Sequence, residues 1–277
     1  KIGYKTHLYC PKGDNPAEDV VNYVSHGDWD DFDRLINFSK SVSCATSEFE
    51  NIPSKTLELL SRNTKITPSS LVFRCAQIRS KEKEMALKSG FNTPKWFLIK
   101  NTDDLIKSIE LLDGNGILKT NSFGYDGKGQ VKINIETDLF KVWEDLGSIE
   151  CVLEDIVPFR REISIMYFKS QDGSEGFFPI SENYHLDGIL RKSLAPIELE
   201  NSKEIELKSH IKQFAKNLNF YGILAIELFE HIDGQYIFNR TEELGMNIYS
   251  LNRDNTKSRL STNYGKVKTE LIDSKGR

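Results

Sequence analysis

The sequence lacks any apolar run long enough to cross a membrane as a helix. Such a span needs about 20 residues, and the longest apolar stretch, 221–229, is interrupted by Gly222 and Glu227. Cysteine is scarce as well. Cys10, Cys44, Cys75 and Cys151 are widely separated and form no C-x-x-C pair, so neither a disulfide scaffold nor metal binding is expected of them, and they read as reduced thiols of a cytoplasmic protein. There is no basic excess. Lys+Arg number 37 against 41 Asp+Glu, a net charge of -4, and basic residues gather only in short pairs such as Arg160-Arg161. A nucleic-acid surface needs a dense positive face, so nucleic acid is excluded as a partner, whereas small anionic ligands are not. Solenoid repeats and low-complexity segments are also missing. The opening residues Lys1-Ile2-Gly3-Tyr4-Lys5 contain neither an initiator Met nor a signal-like segment, and the reading is of a truncated N-terminus.

What is present is globular in character. The 277 residues, 38% apolar and 28% charged, suffice for a sizeable core in one large or two ordinary domains. The first part alternates short β-rich runs with helical ones, the pattern of an α/β domain with parallel strands. A strand is expected over 6–10, a helix over 30–40 and an extended run over 41–45, which leads into the polar cluster 46–53. A linker-like passage begins at Pro68, and a helix over 77–89 stops at Gly90. Beyond it come a helix over 102–112 and strands over 117–119, 131–135, 151–154, 162–168, 177–180, 223–229 and 236–239, with another helix over 203–218. This is an α+β region rich in antiparallel strands. The stretch 240–277 has eight basic and five acidic residues and no sustained apolar period, and is expected to be a loosely ordered tail.

The run Gly124-Tyr125-Asp126-Gly127-Lys128-Gly129-Gln130 lets the backbone approach phosphate oxygens and present amide N–H groups. It lies between two expected strands, so it fits neither the Walker pattern nor the dinucleotide fingerprint, and a glycine-rich hairpin without a ligand explains it equally. Lys119, at the end of the preceding strand, is a phosphate partner or an ordinary exposed lysine. Glu154, Asp155, Ile156 and Val157 form an acidic strand end with an apolar continuation. Its backbone suits an adenine edge and Glu162 suits ribose hydroxyls; a surface charge cluster is the alternative. Glu227 interrupts the apolar run 223–229, where burial without a partner would cost several kcal/mol. It reads as a magnesium ligand or as one residue of a solvated face.

The order of these pieces is more specific than any one of them. Glu48-Phe49-Glu50-Asn51-Ile52-Pro53, Gln77-Ile78-Arg79 with Lys81-Glu82-Lys83, Lys119, the 124–130 run, Glu154 with Glu162, Glu182-Asn183-Tyr184-His185, Ser193-Leu194-Ala195-Pro196 and Glu227 follow one another. Together they resemble the 5-(carboxyamino)imidazole ribonucleotide synthases, the ATP-grasp carboxylases of purine biosynthesis, over essentially 6–239. The resemblance implies an ATP-grasp fold, α/β and α+β, with a Rossmann-like preATP-grasp domain incomplete over 1–75, a nucleotide-binding region over 76–239 and a divergent end over 240–277. It implies ATP and Mg2+ as cofactors, aminoimidazole ribonucleotide and bicarbonate as substrates, and a homodimer. Arg79 and Lys119 would contact ATP phosphates beneath a lid formed by Gly124, Tyr125, Asp126, Gly127, Lys128, Gly129 and Gln130. Glu154, Asp155, Ile156 and Val157 would line the adenine, Glu162 the ribose, and His185 and Asn239 neighbouring nucleotide positions. Glu227 would hold magnesium, with Lys119 and Glu227 as catalytic groups, and Glu48, Glu50 and Asn51 would face the aminoimidazole substrate. The implied chemistry is attack of bicarbonate on the γ-phosphate, then transfer of the carboxyl group of carboxyphosphate to the exocyclic amine. The pattern departs after Asn239. Arg240 stands where the family places a second magnesium-binding glutamate, and Glu242 and Glu243 come two and three positions later. The expected function remains the ATP-dependent carboxylation, with catalysis impaired by this departure; a nucleotide-binding remnant of that enzyme and another ATP-grasp ligase are the alternatives.

Overall fold

A computed structural model describes residues 4–13, 15–47, 51–122, 129–186, 189–244 and 270–271, leaving aside the side chains of 242–244, 270 and 271. The chain divides into two compact units, Lys1–Arg74 and Cys75–Arg277.

In the first unit, β1 (His7–Cys10) and β2 (Tyr23–His26) run parallel, joined through a 3-10 turn over Pro16–Val20. Asp31 caps α1 (Phe32–Ser41), its carboxylate accepting the Arg34 backbone N–H at 3.2 Å. The short strands β3 (Cys44–Ala45) and β4 (Lys65–Ile66) also pair in parallel, flanking α2 (Ser54–Leu60). Leu35 and Phe38 of α1, Leu57 and Leu60 of α2, and Tyr9 make one core. The passage read as a linker from Pro68 instead holds α3 (Ser70–Ala76). Burial of Val72 and Phe73 explains the helix: the apolar pair gains more by packing than a solvated linker would. A second difference concerns Cys10, for which no metal-ligating neighbour was expected. Parallel pairing sets it directly beside His26, with Sγ 3.8 Å from Nδ1.

The second unit opens with α4 (Arg79–Lys88), which ends before Gly90 at φ +99°, a left-handed position that favours glycine. Then follow β5 (Trp96–Ile99), α5 (Thr102–Glu110), β6 (Asn115–Thr120), β7 (Gln130–Asn134), α6 (Leu139–Asp145) and β8 (Cys151–Glu154). The four strands form an antiparallel sheet in the order β5-β8-β6-β7. Its inner face, with Ile99, Leu118 and Leu153, buries Leu105 and Ile109 of α5 and Trp143 of α6. The glycine-rich run joins two antiparallel strands as expected; its residues 124–128, with Phe123 before them, lie outside the described residues.

A larger sheet contains β9 (Phe159–Lys169), β10 (Glu175–Phe177), β11 (Ser181–Leu186), β12 (Ile189–Ala195), β13 (Gly222–His231), β14 (Tyr236–Leu244) and β15 (Glu270–Leu271), with α7 (Asn201–Asn217) preceding β13. Its order is β14-β13-β9-β11-β12-β15, with β10 on β9. The strand expected over 236–239 runs on to Leu244, because β13 supplies partners from Tyr236 to Leu244 for every residue but Asn239. The remaining described part of 240–277 is β15; residues 245–269 and 272–277 lie outside the described residues. No helix among the described residues is long and apolar enough to cross a membrane.

Leu118 is fully buried and holds the small sheet to its helices. Leu118→Ala should cost about 2–5 kcal/mol, read as a lower urea midpoint for unfolding of the full chain.

Candidate functional site

Helix α4 buries a charged face. Arg79, Glu82 and Lys83 sit at i, i+3 and i+4 and so project to one side, and Glu82 and Lys83 are buried at 3% and 2% exposure. On the small sheet, Glu154 lies opposite Ile117 in the β8 and β6 register. Lys119, two residues on, therefore shares its face and comes within diagonal reach. The result is a buried bridge: Lys119 Nζ donates to Glu154 Oε2 at 2.8 Å, and Lys83 Nζ lies 3.2 Å from Glu154 Oε1. Two positive charges thus meet one negative. Burial alone would raise the Glu154 carboxyl, but Lys83 and Lys119 outweigh it and hold the carboxyl below its ordinary range. Burial pulls the Lys119 ammonium down, against the opposing pull of Glu154. Arg79 stays close, its Nε donating to the Thr120 carbonyl at 3.2 Å.

A second constellation lies on the large sheet. Glu162 of β9, His185 of β11 and Glu227 of β13 each place one ligand atom within 4.8 Å of the others. His185 Nδ1 stands 2.8 Å from Glu162 Oε2, and Asn239 Nδ2 donates to Glu162 Oε1 at 3.2 Å. The Glu162 carboxylate raises the His185 imidazole, over the opposing effect of burial. Glu227 is 2% exposed, which removes the solvated-face reading. Its Oε2 accepts from Arg240 Nε at 2.8 Å, and Asn183 Nδ2 lies 3.5 Å from its Oε1. Asn183 is itself held by Ser164 Oγ at 2.6 Å and by the Ser193 hydroxyl at 2.8 Å.

The Arg240 contact depends on a β-bulge. Glu227 pairs with Arg240 and Leu228 with Phe238, leaving Asn239 as the extra residue. Cross-strand partners share a face, so the bulge sends Phe238 into the core and Arg240 to the carboxylates, where unbroken alternation would have put both on one face. Alongside, Glu82 anchors β14 by accepting from the backbone N–H and hydroxyl of Thr241. Burial raises the Glu82 carboxyl.

The chain as a whole has relatives among known proteins. The family model for the ATP-grasp domain matches residues 84–246, and that for the ribonucleotide synthetase preATP-grasp domain matches 1–77. An N5-carboxyaminoimidazole ribonucleotide synthase of Brucella melitensis biotype 1 is 30% identical over 241 residues, covering 86% of this chain and 67% of that protein. The chain belongs to the N5-carboxyaminoimidazole ribonucleotide synthase family. It therefore has an ATP-grasp fold. A bifunctional purine synthesis protein purC/E of Dictyostelium discoideum is 34% identical over 248 residues, covering 85% of this chain and 24% of that protein. Among solved structures, the N5-carboxyaminoimidazole synthetase of Staphylococcus aureus complexed with ADP has a TM-score of 0.80 at 30% identity, covering 86% of this chain and 64% of that one. The chain thus spans from a quarter to two thirds of the length of these relatives.

Of the residues that the resemblance in the sequence implied, Arg79, Lys119 and Glu154 come together, as do Glu162, His185, Glu227 and Asn239. The surface-cluster reading of Glu154 and Glu162 fails because both are buried, and Lys119 is no exposed lysine, its side chain being 12% exposed. The Glu154 side chain turns to the lysines, so any contact of Glu154 with a base belongs to its backbone; Asp155 and Ile156 are exposed and Val157 half-buried. Gly129 takes φ +73° and its carbonyl accepts the Thr120 N–H at 2.8 Å, while Gln130 begins β7. Asn51 belongs to the first unit, just ahead of α2; Glu48, Glu50 and 124–128 lie outside the described residues. Sequence reasoning gave no role to Lys83, Glu82 or Asn183. The available signal was α4 itself, a helix whose charged residues at i, i+3 and i+4 replace the apolar stripe.

Glu154→Gln should cost about 3–5 kcal/mol in urea unfolding, because it leaves two buried ammonium groups without their carboxylate. The same change combined with Lys83→Met should be less damaging than the single variant.

Proposed function

We propose that the chain carries the nucleotide side of an ATP-dependent carboxylation of 5-aminoimidazole ribonucleotide, giving the 5-(carboxyamino) product, ADP and phosphate in purine biosynthesis. The observation that carries this reading is the buried surplus of positive charge at Lys83, Glu154 and Lys119 beside Arg79, with the glycine-rich run leaving the same strand. A triphosphate supplies the missing negative charge, and a site of low dielectric makes that exchange effective. The names of the relatives supply the carboxylation and the substrate.

In the proposed sequence of steps, a bicarbonate oxygen takes the γ-phosphoryl group as ADP leaves. The exocyclic amine then attacks the carboxyphosphate carbon, phosphate departs and the amine loses a proton. Lys119 and Arg79 hold phosphate oxygens, the 124–130 run covers them and excludes water from the intermediate, and the backbone of 154–157 receives the adenine. In this proposal Glu162 binds the ribose, His185 and Asn239 serve neighbouring nucleotide positions, and Glu48, Glu50 and Asn51 are assigned to binding of the aminoimidazole substrate. The domain limits at 75 and 239, a cytoplasmic setting and a homodimer belong to the same proposal.

Magnesium, the ion implied at Glu227, does not fit the residues as arranged. Mg2+ requires oxygen ligands in near-octahedral array, whereas Glu227 faces a guanidinium N–H at one oxygen and an amide N–H near the other. The Arg240 pair favours a second reading, a nucleotide binder with little turnover.

ADP release should be measured with aminoimidazole ribonucleotide, bicarbonate and magnesium present. The unchanged chain is expected to give little substrate-dependent release, and Arg240→Glu should raise it about tenfold or more. Substantial release by the unchanged chain would contradict the restraint by Arg240, and none from either chain would leave only the noncatalytic reading.

A further inference from the structure

We propose that Cys10, Glu18 and His26 form a site for a divalent transition metal of the zinc type in the first unit, independent of the nucleotide site. Cys10 ends β1 and His26 ends β2, and the parallel register makes them direct neighbours. Both stand at the carboxyl ends of their strands, where α/β sheets commonly take ligands. Glu18 comes from the 3-10 turn in the crossover between the strands. One donor atom from each residue lies within 4.8 Å of the other two. Cys10 Sγ is 3.7 Å from Glu18 Oε1 and 3.8 Å from His26 Nδ1, and His26 Nε2 is 3.7 Å from Glu18 Oε2.

Tetrahedral zinc bonded to sulfur, nitrogen and oxygen sets its ligand atoms roughly 3.4–3.6 Å apart. The imidazole must commit one nitrogen, after which small side-chain rotations close the triangle. Thiolate, imidazole and carboxylate together suit zinc or cobalt, whereas magnesium and calcium take oxygen. An outer shell is in place too. Asn15 Nδ2 donates to Glu18 Oε1 at 2.9 Å and to the carbonyls of Pro11 at 3.0 Å and Gly13 at 3.2 Å, fixing the carboxylate to the turn. The backbone on the strand side is fixed by the Gly27 N–H on the Cys10 carbonyl at 3.1 Å. Cys10 binds as thiolate and releases its proton to solvent, and the three protein ligands leave a fourth position for water.

The full chain, free of nucleotide, is titrated with Co2+ alone. The expected result is one equivalent bound, with a thiolate-to-cobalt charge-transfer band that Zn2+ displaces. Cys10→Ser should abolish the band, His26→Gln should weaken cobalt binding about tenfold or more, and Cys44→Ser, at the exposed cysteine, should leave both intact. Since Cys10 is buried, the half-buried His26→Gln and Glu18→Gln carry the test if Cys10→Ser does not fold. Absence of the band in the folded wild-type chain, its loss with Cys44→Ser instead of Cys10→Ser, or unchanged affinity in His26→Gln and Glu18→Gln would overturn the proposal.

Discussion

The second unit is organised around one buried carboxylate. Glu154 lies at the end of β8, reaches Lys119 on the neighbouring strand and Lys83 on α4, and is 3% exposed. Removing a charge from water is tolerable only where a partner replaces the solvent, so the helix and the small sheet are tied to one relative position. Arg79 and Ser80 extend the tie, since the Arg79 backbone N–H donates to the Asn121 carbonyl and the Ser80 N–H to the Asn121 side chain, each at 2.9 Å. Of the buried residues of α4, Ser80, Glu82, Lys83 and Ala86, only the last is apolar, and the polar contacts fix the rest of that face. The same bridge leaves a positive surplus beside the glycine-rich run, and in this account structural and binding roles rest on one set of charges.

The large sheet resolves the opposite problem, an excess of carboxylates. Glu162 and Glu227 project from neighbouring strands into one cluster with His185. Their negative charge is met by the imidazole, by the Asn239 amide and, most directly, by the Arg240 guanidinium. A single extra residue in β14 aims Arg240 there, and Glu82 fixes the adjoining Thr241. The cation thus comes from the chain itself. It cannot be released as an ion can, and on that difference rests the proposal that the chain holds a nucleotide with little turnover.

Much of the fold was legible because its signals are local. The helix over Phe32–Ser41 follows its apolar spacing and Asp31 cap, β8 follows a run of apolar residues ending at Glu154, and the strand-to-strand position of the glycine run followed from its flanks. Glu227 was conspicuous because a lone carboxylate broke an apolar run. Other features depended on pairing partners remote in sequence. Lys83 carries no mark of burial until Glu154 is known to face it, 71 residues on. The direction of Arg240 depends on the bulge, and the approach of His26 to Cys10 on parallel register. The linker reading from Pro68 missed α3 because a short helix is stabilised by what Val72 and Phe73 pack against rather than by its own composition.

The central claim is that the positive surplus around Glu154 answers nucleotide phosphates. Calorimetric titration of the full chain with ATP and, separately, with adenosine tests it most directly in the wild type and in Lys119→Ala. Loss of one charge-assisted phosphate contact should weaken ATP about tenfold or more while changing adenosine little. Equal losses for both ligands, or none for ATP, would contradict the account.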